Sequence, residues 1–215
     1  AEVAGILAEP GPLDRAQLHT LLLHAPLPHL LAAASLHRTL DAEVGRFGEQ
    51  AADWSDPAHA TIPFGAGESD DDLVERIVAL RSRPLVAARI EGIRSAGAAV
   101  PEHDNTATRW LRLTALLRLA LPDSVTVVGG WERYGRGLGQ VALRGGADDF
   151  GAVTDTDGEM VDGVWPMSVR EAERTLRLTG LRPVRRDARF HTLGEAVTKA
   201  EDRRRPLRRL DRPQA

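Results

Sequence analysis

The side chains best suited to chemistry fall in three short stretches, each beside an apolar run. Gly65-Ala66-Gly67-Glu68 closes the first, Trp131-Glu132-Arg133-Tyr134 follows the second, and Asp148-Asp149 opens the third. Glycine at 65 and 67 would let backbone approach a ligand closely, because no Cβ intervenes. A tight strand-to-helix turn asks for glycine just as strongly. Glu68 suits a ribose hydroxyl or the cap of the helix after it. Trp131 and Arg133 suit the wall of a pocket for a flat aromatic ligand, although burial in the core is the commoner use of an indole. Asp148 and Asp149 are adjacent, so on a strand they face opposite sides and cannot act as an acid–base couple with each other. One of them can face inward to a ligand or an arginine, and a salt bridge that fixes the loop is the competing use.

Other chemistries lack their residues. The chain has no cysteine, which removes disulfides and any thiolate-held zinc or iron–sulfur cluster from its own means. His19, His24, His29 and His37 are spaced by 5, 5 and 8, which does not stack neighbours one helical turn apart. No metalloprotease, nucleophile-elbow or P-loop pattern occurs, and Gly135-x-Gly137-x-Gly139 lacks the spacing of a dinucleotide fingerprint. Of 28 basic residues only Lys199 is a lysine, which reads as genomic bias rather than as a nucleic-acid signature. Residues 181–215 hold 11 basic and 5 acidic side chains, a net +6, so the remainder carries −9 of the total of −3. That basic end lacks interleaved aromatics, so nucleic acid is not expected as its partner. Apolar runs are short and broken by His and Pro, which predicts no membrane span, and the cytoplasm is the default location.

The elements that must position these residues follow from periodicity. Leucines near helical spacing over 13–40 predict one or two helices interrupted at Pro26 and Pro28, and the small, polar stretch 41–58 predicts a connecting helix and loop. Four strands are expected at 59–65, 84–90, 124–128 and 147–153. Helices are expected at 69–83, opened by a Ser69/Asp72 capping box, and at 107–120, 134–144 and 168–179, the last capped by Ser168 and closed by Gly180. Strand–helix alternation repeated four times argues for an α/β chain with a parallel sheet, half the count of a TIM barrel.

Four stretches carry a resemblance to a known family. Thr61-Ile-Pro-Phe-Gly65-Ala-Gly67-Glu68 with its acidic helix is similar to a fifth-strand motif. Leu111 to Pro122 resembles the helix and turn before a seventh strand. Gln140 to Gly151, with Gly146-Ala147-Asp148-Asp149-Phe150-Gly151, resembles a G-A-(N/D)-D-(W/F/L)-G-G signature. Trp165-Pro166 followed by Gly180-Leu-Arg-Pro-Val-Arg185-Arg186 resembles the family's tail. Together, over about 58–190, they resemble the radical-SAM enzymes that include the deazaflavin-cofactor synthases and the futalosine-pathway menaquinone enzymes. The C-x-x-x-C-x-x-C loop is absent, as is the length for four earlier strands, and Ala152 stands at the second glycine of the signature.

The resemblance implies a partial TIM-type barrel of about four parallel strands at 58–195, after an N-terminal helical segment at 1–57 and before a basic tail at 196–215. It implies a degenerate relative without an iron–sulfur cluster, keeping residual SAM or nucleoside binding or docking on a partner enzyme in cofactor biosynthesis. Ligand-binding candidates are Gly65, Gly67, Glu68, Trp131, Arg133, Asp148 and Asp149, with no catalytic or metal-binding residue assigned. The alternatives are a cluster-free enzyme acting on a small aromatic or nucleoside-like substrate at the strand ends, using Glu68, Asp148 or Asp149 and Arg133, and a purely structural interaction subunit. An open half-barrel is also expected to expose an apolar inner face, which motivates a homodimer or a complex with a cluster-bearing homologue.

Overall fold

The computed structural model describes residues 2–8, 12–38, 44–65, 67–92, 107–153 and 167–195. The loops expected at 92–105 and 154–163, Trp165-Pro166 and the basic tail lie wholly or almost wholly outside these residues.

Three N-terminal helices come first: α1 (Glu2–Ala8), α2 (Arg15–His24) and α3 (Leu27–Leu36). Pro26 separates α2 from α3 and serves as the N-cap of α3, with Pro28 in its first turn, where a missing N–H costs nothing. Then follow β1 (Val44–Gly48), β2 (His59–Phe64), α4 (Asp70–Ala79), β3 (Ala87–Gly92), α5 (Ala107–Ala120), β4 (Thr126–Val128), α6 (Trp131–Tyr134), α7 (Arg136–Arg144), β5 (Asp149–Ala152), α8 (Val169–Leu178), β6 (Arg182–Arg186) and β7 (Thr192–Glu195). Ser69 and Ser168 each cap their helix through a reciprocal box, with Asp72 and Glu171 as the returning carboxylates.

The strands form one open seven-stranded sheet in the order β2-β3-β4-β5-β1-β6-β7, parallel except for β7. The α/β class and the open, mainly parallel sheet of a partial barrel therefore hold, and β2 to β5 are the four expected strands. Their number is corrected from four to seven. Residues 44–48, expected within a connecting helix and loop, form β1, which lies between β5 and β6. A five-residue strand that contains two glycines is too short for hydrophobic periodicity to separate from a turn.

One face of the sheet packs on helices. Ala60, Ile62, Phe64, Ala88, Ile90 and Val127 meet leucines of α2, α3, α4 and α5. Phe47 and Phe150 meet Leu143 of α7 and Ala172 and Leu176 of α8. The other face carries Thr61, Arg89, Glu91, Thr126, Asp149, Arg46 and Arg186. The expected apolar inner face is thus mixed: ion pairs stand beside an apolar patch at Ala87 and Val128.

The crossover from β1 to β2 explains part of the cover on that inner face. Four strand spacings separate the two strands, ~19 Å of lateral travel. The ten residues 49–58 make it, and Ala52 and Trp54 rest with Phe190 on Ala87 of β3 and Val128 of β4. Phe190 comes from the β6–β7 turn, where its φ of 67° makes it the non-glycine residue with positive φ among those described.

Candidate functional site

Gly65, Gly67 and Glu68 follow the C-terminal end of β2, Trp131 and Arg133 follow that of β4, and Asp148 and Asp149 stand at the N-terminal end of β5. Gly65, at the end of β2, has φ 94° and Gly67 has φ 90°, so the turn into α4 requires glycine at both positions. Glu68 closes that turn: its carboxylate accepts from the Gly65 N–H at 2.5 Å.

The α6 segment is anchored on both sides. The Trp131 side chain is buried, donates from Nε1 to the Ala152 carbonyl at 2.8 Å, and stacks on Phe150 at 6.0 Å between ring centroids. It packs in the core between the sheet and α7 and offers no free face to a ligand. Arg133 donates to the Gly92 carbonyl at 2.5 Å and Tyr134 accepts from the Gly92 N–H at 2.9 Å, so both clamp the end of β3. Burial pushes the Tyr134 phenol up to about 12, and its ring stacks on Trp110 at 4.2 Å.

The two aspartates part company as their alternation requires. Asp148 turns toward the helices, where its Oδ2 lies 3.1 Å from Arg118 Nη1 and accepts from the Val127 N–H at 3.0 Å. Arg118 also donates to the carbonyls of Val125, Leu121 and Pro122, so this pair locks the turn from α5 into β4. Asp149 turns inward. Arg186 holds it in a two-point grip, Nε to Oδ2 at 2.6 Å and Nη2 to Oδ1 at 3.1 Å, and the Gly151 N–H adds a third bond at 2.9 Å. Both carboxylates are fully buried and satisfied by protein groups.

The carboxylate left in play is Glu132, a neighbour of the named candidates. It reaches from α6 to the end of β5, where it accepts from the Ala152 N–H. A Cβ at residue 151 would fall 2.5 Å from its Oε1, and Gly151 has φ 121°, so the glycine serves this close approach. Burial raises the Glu132 pKa to about 7; Asp149 pushes it further the same way, while the Ala152 N–H and Arg89 oppose. No side chain among the described residues donates a hydrogen bond to it. Its signal in the sequence was position alone: an acid two residues after the glycine pair that ends a strand.

Two further inner-face cations escaped the sequence reading. Arg89, on β3, bonds Thr61 and Glu91 and lies 4.1 Å over the Trp54 ring. Arg46, on β1, reaches across β5 to Thr126 Oγ1 at 3.1 Å. Both lie in stretches whose alternation becomes visible only once the sheet is assembled.

No family model matches the sequence, and no curated protein matches it. A solved structure similar in fold is that of the FeFe-hydrogenase maturase HydG from Carboxydothermus hydrogenoformans, at 15% identity and a TM-score of 0.43, over 58% of this chain and 32% of that one. The chain therefore spans about a third of that structure's length, and the likeness carries no argument about activity.

Proposed function

We propose that this chain binds a nucleoside-like small molecule at the C-terminal ends of β3, β4 and β5, without iron–sulfur chemistry of its own. The observation that carries this reading is Glu132: a carboxyl near neutrality at the end of a parallel sheet, with no side-chain partner, beside the Arg89–Glu91 pair. Parallel α/β sheets place ligands at that end of their strands. Protonated, Glu132 donates to a carbonyl or ring nitrogen; ionised, it accepts from a ribose hydroxyl. The glycine turn at 65–67 and the motif order across 58–190 support the same reading. Titration calorimetry with adenosine, SAM, deazaflavin and futalosine-type ligands tests it. Binding of one of these, weakened at least tenfold in Glu132→Ala, is expected; no heat from any of them sinks the proposal.

A second reading, a cluster-free enzyme, draws on the same carboxyl. A group that titrates near 7 suits general acid–base catalysis. Its candidates shift from Asp148 and Asp149, which are spent on buried arginines, to Glu132. Conversion of a bound ligand by the wild type and none by Glu132→Gln, with binding retained, would favour it over pure binding.

A further inference from the structure

One guanidinium of the inner face is answered by no carboxylate among the described residues. Arg186 is paired with Asp149, and Arg89 with Glu91 at 2.6 Å. Arg46 has no carboxylate within ion-pair reach among the described residues. Asp149 lies beside it in register, but both of its oxygens are occupied by Arg186 and the Gly151 N–H. Among the described residues, the one hydrogen bond of the Arg46 side chain goes from Nη1 to Thr126 Oγ1, and its buried Nε meets no acceptor. A buried N–H with no acceptor is a standing loss to the folded state, and a charged one more so. Thr126, itself buried, accepts from Arg46 and sends its own hydroxyl proton to no described acceptor. Two donors on one face thus lack an acceptor among the described residues, and although the Nε is sealed, Arg46 as a whole is half-buried, so a small group can reach its exposed part.

We propose that Arg46 and Thr126 bind an anionic group, a carboxylate or a phosphate, of the molecule held on the inner face. This rests on the reading of that face as a ligand site and adds the ligand's charge. An unpaired guanidinium favours a full negative charge over a neutral carbonyl, because it takes carboxylate or phosphate oxygens in charge-assisted bonds.

The test is thermal unfolding of the intact chain in millimolar inorganic phosphate or acetate, against chloride at matched ionic strength. A saturable rise of about 3 °C is expected with one of the two probes. Whichever saturates at lower concentration identifies the group. Arg46→Met should abolish the rise and, without the probe, melt no lower than the wild type, because it removes an unanswered buried cation. Arg46→Lys should keep part of the rise, and the surface variant Arg15→Met all of it. A rise that persists in Arg46→Met, no rise with either probe, or an Arg46→Met chain that melts well below the wild type would overturn the assignment. If adenosine binds and neither anion does, Arg46 alone is wrong; if nothing binds, the ligand site falls with it.

Discussion

The two faces of this sheet solve opposite problems with the same pair of residue types. Asp148 and Asp149 are neighbours in the chain, and each meets a buried arginine, Arg118 on the helix side and Arg186 on the inner side. On the helix side the pair is an island among leucines and a tryptophan, and it serves the backbone by tying off the carbonyls of the α5–β4 turn. On the inner side it belongs to a row of charges and hydroxyls. There it bridges β5 to β6 over β1, whose Gly48 leaves room for the guanidinium. A face built by apolar packing is specified by volume. A face built of ion pairs and hydrogen bonds is specified by satisfaction, and where a donor such as Arg46 Nε is unsatisfied it points to something that binds.

The contrast is sharpest if the helix side is broken first. Trp110, fully buried on α5, donates to the Ile90 carbonyl at 3.3 Å and stacks on Tyr134. Trp110→Ala should cost about 4 kcal/mol in urea unfolding, from lost burial and a residual cavity. Asp148→Ala and Asp149→Ala should each cost about 3 kcal/mol, since each strands a buried arginine. The inner pair differs in one respect. Replacing both partners, as Asp149→Leu with Arg186→Met, should recover more of that loss than removing both Asp148 and Arg118, because Arg186 serves two backbone carbonyls, those of Gln50 and Asp187, where Arg118 serves three.

Gly48→Ala is a smaller intrusion on the same inner pair. Its Cβ would fall 2.5 Å from Arg186 Nη1 and 2.7 Å from the Gln50 carbonyl oxygen. The expected loss is about 2 kcal/mol, because a backbone atom shares the contact and cannot swing aside. Glu132 gives a pH signature. Its carboxyl is raised from 4.5 to about 7 in the folded chain, so the folded state binds more protons than the unfolded one between those values. Stability should therefore fall as pH rises through that window, by something on the order of 1–2 kcal/mol, and Glu132→Gln should flatten the slope. Far from both faces, Ser168→Ala should cost only about 1 kcal/mol through loss of the α8 cap.

How far the sequence could be read depended on the length of its patterns. Ala107–Ala120 was legible to the residue because fourteen positions repeat the helical period, Ser69 announced its cap through the acid three places on, and Ser168 did so as a serine before an amphipathic run. The strands at β2 to β5 were legible because apolar runs sit between helices. β1 was not: Val44-Gly-Arg-Phe-Gly holds two apolar residues and no periodicity, and β6, three arginines around a proline and a valine, reads as polar. In the candidate site, Asp148 and Asp149 were visible but their arginines were not, since 30 and 37 residues of chain separate the partners. The 27 arginines, which composition left without a role, prove in part to be carbonyl clamps, as at Arg83, Arg112, Arg118 and Arg133.

The sequence by itself determined the α/β class, the helix caps, the glycine turn at 65–67 and the absence of thiolate ligands, because each depends on residues within a turn or two of one another. Only the tertiary structure decided that β1 sits among the later strands, that the inner face is mixed and crossed by 49–58, and that Arg46 and Glu132 stand on it without side-chain counter-charges. Those outcomes depend on which strands become neighbours. Neighbourhood in a parallel sheet is set by packing across the whole chain, and no local pattern encodes it.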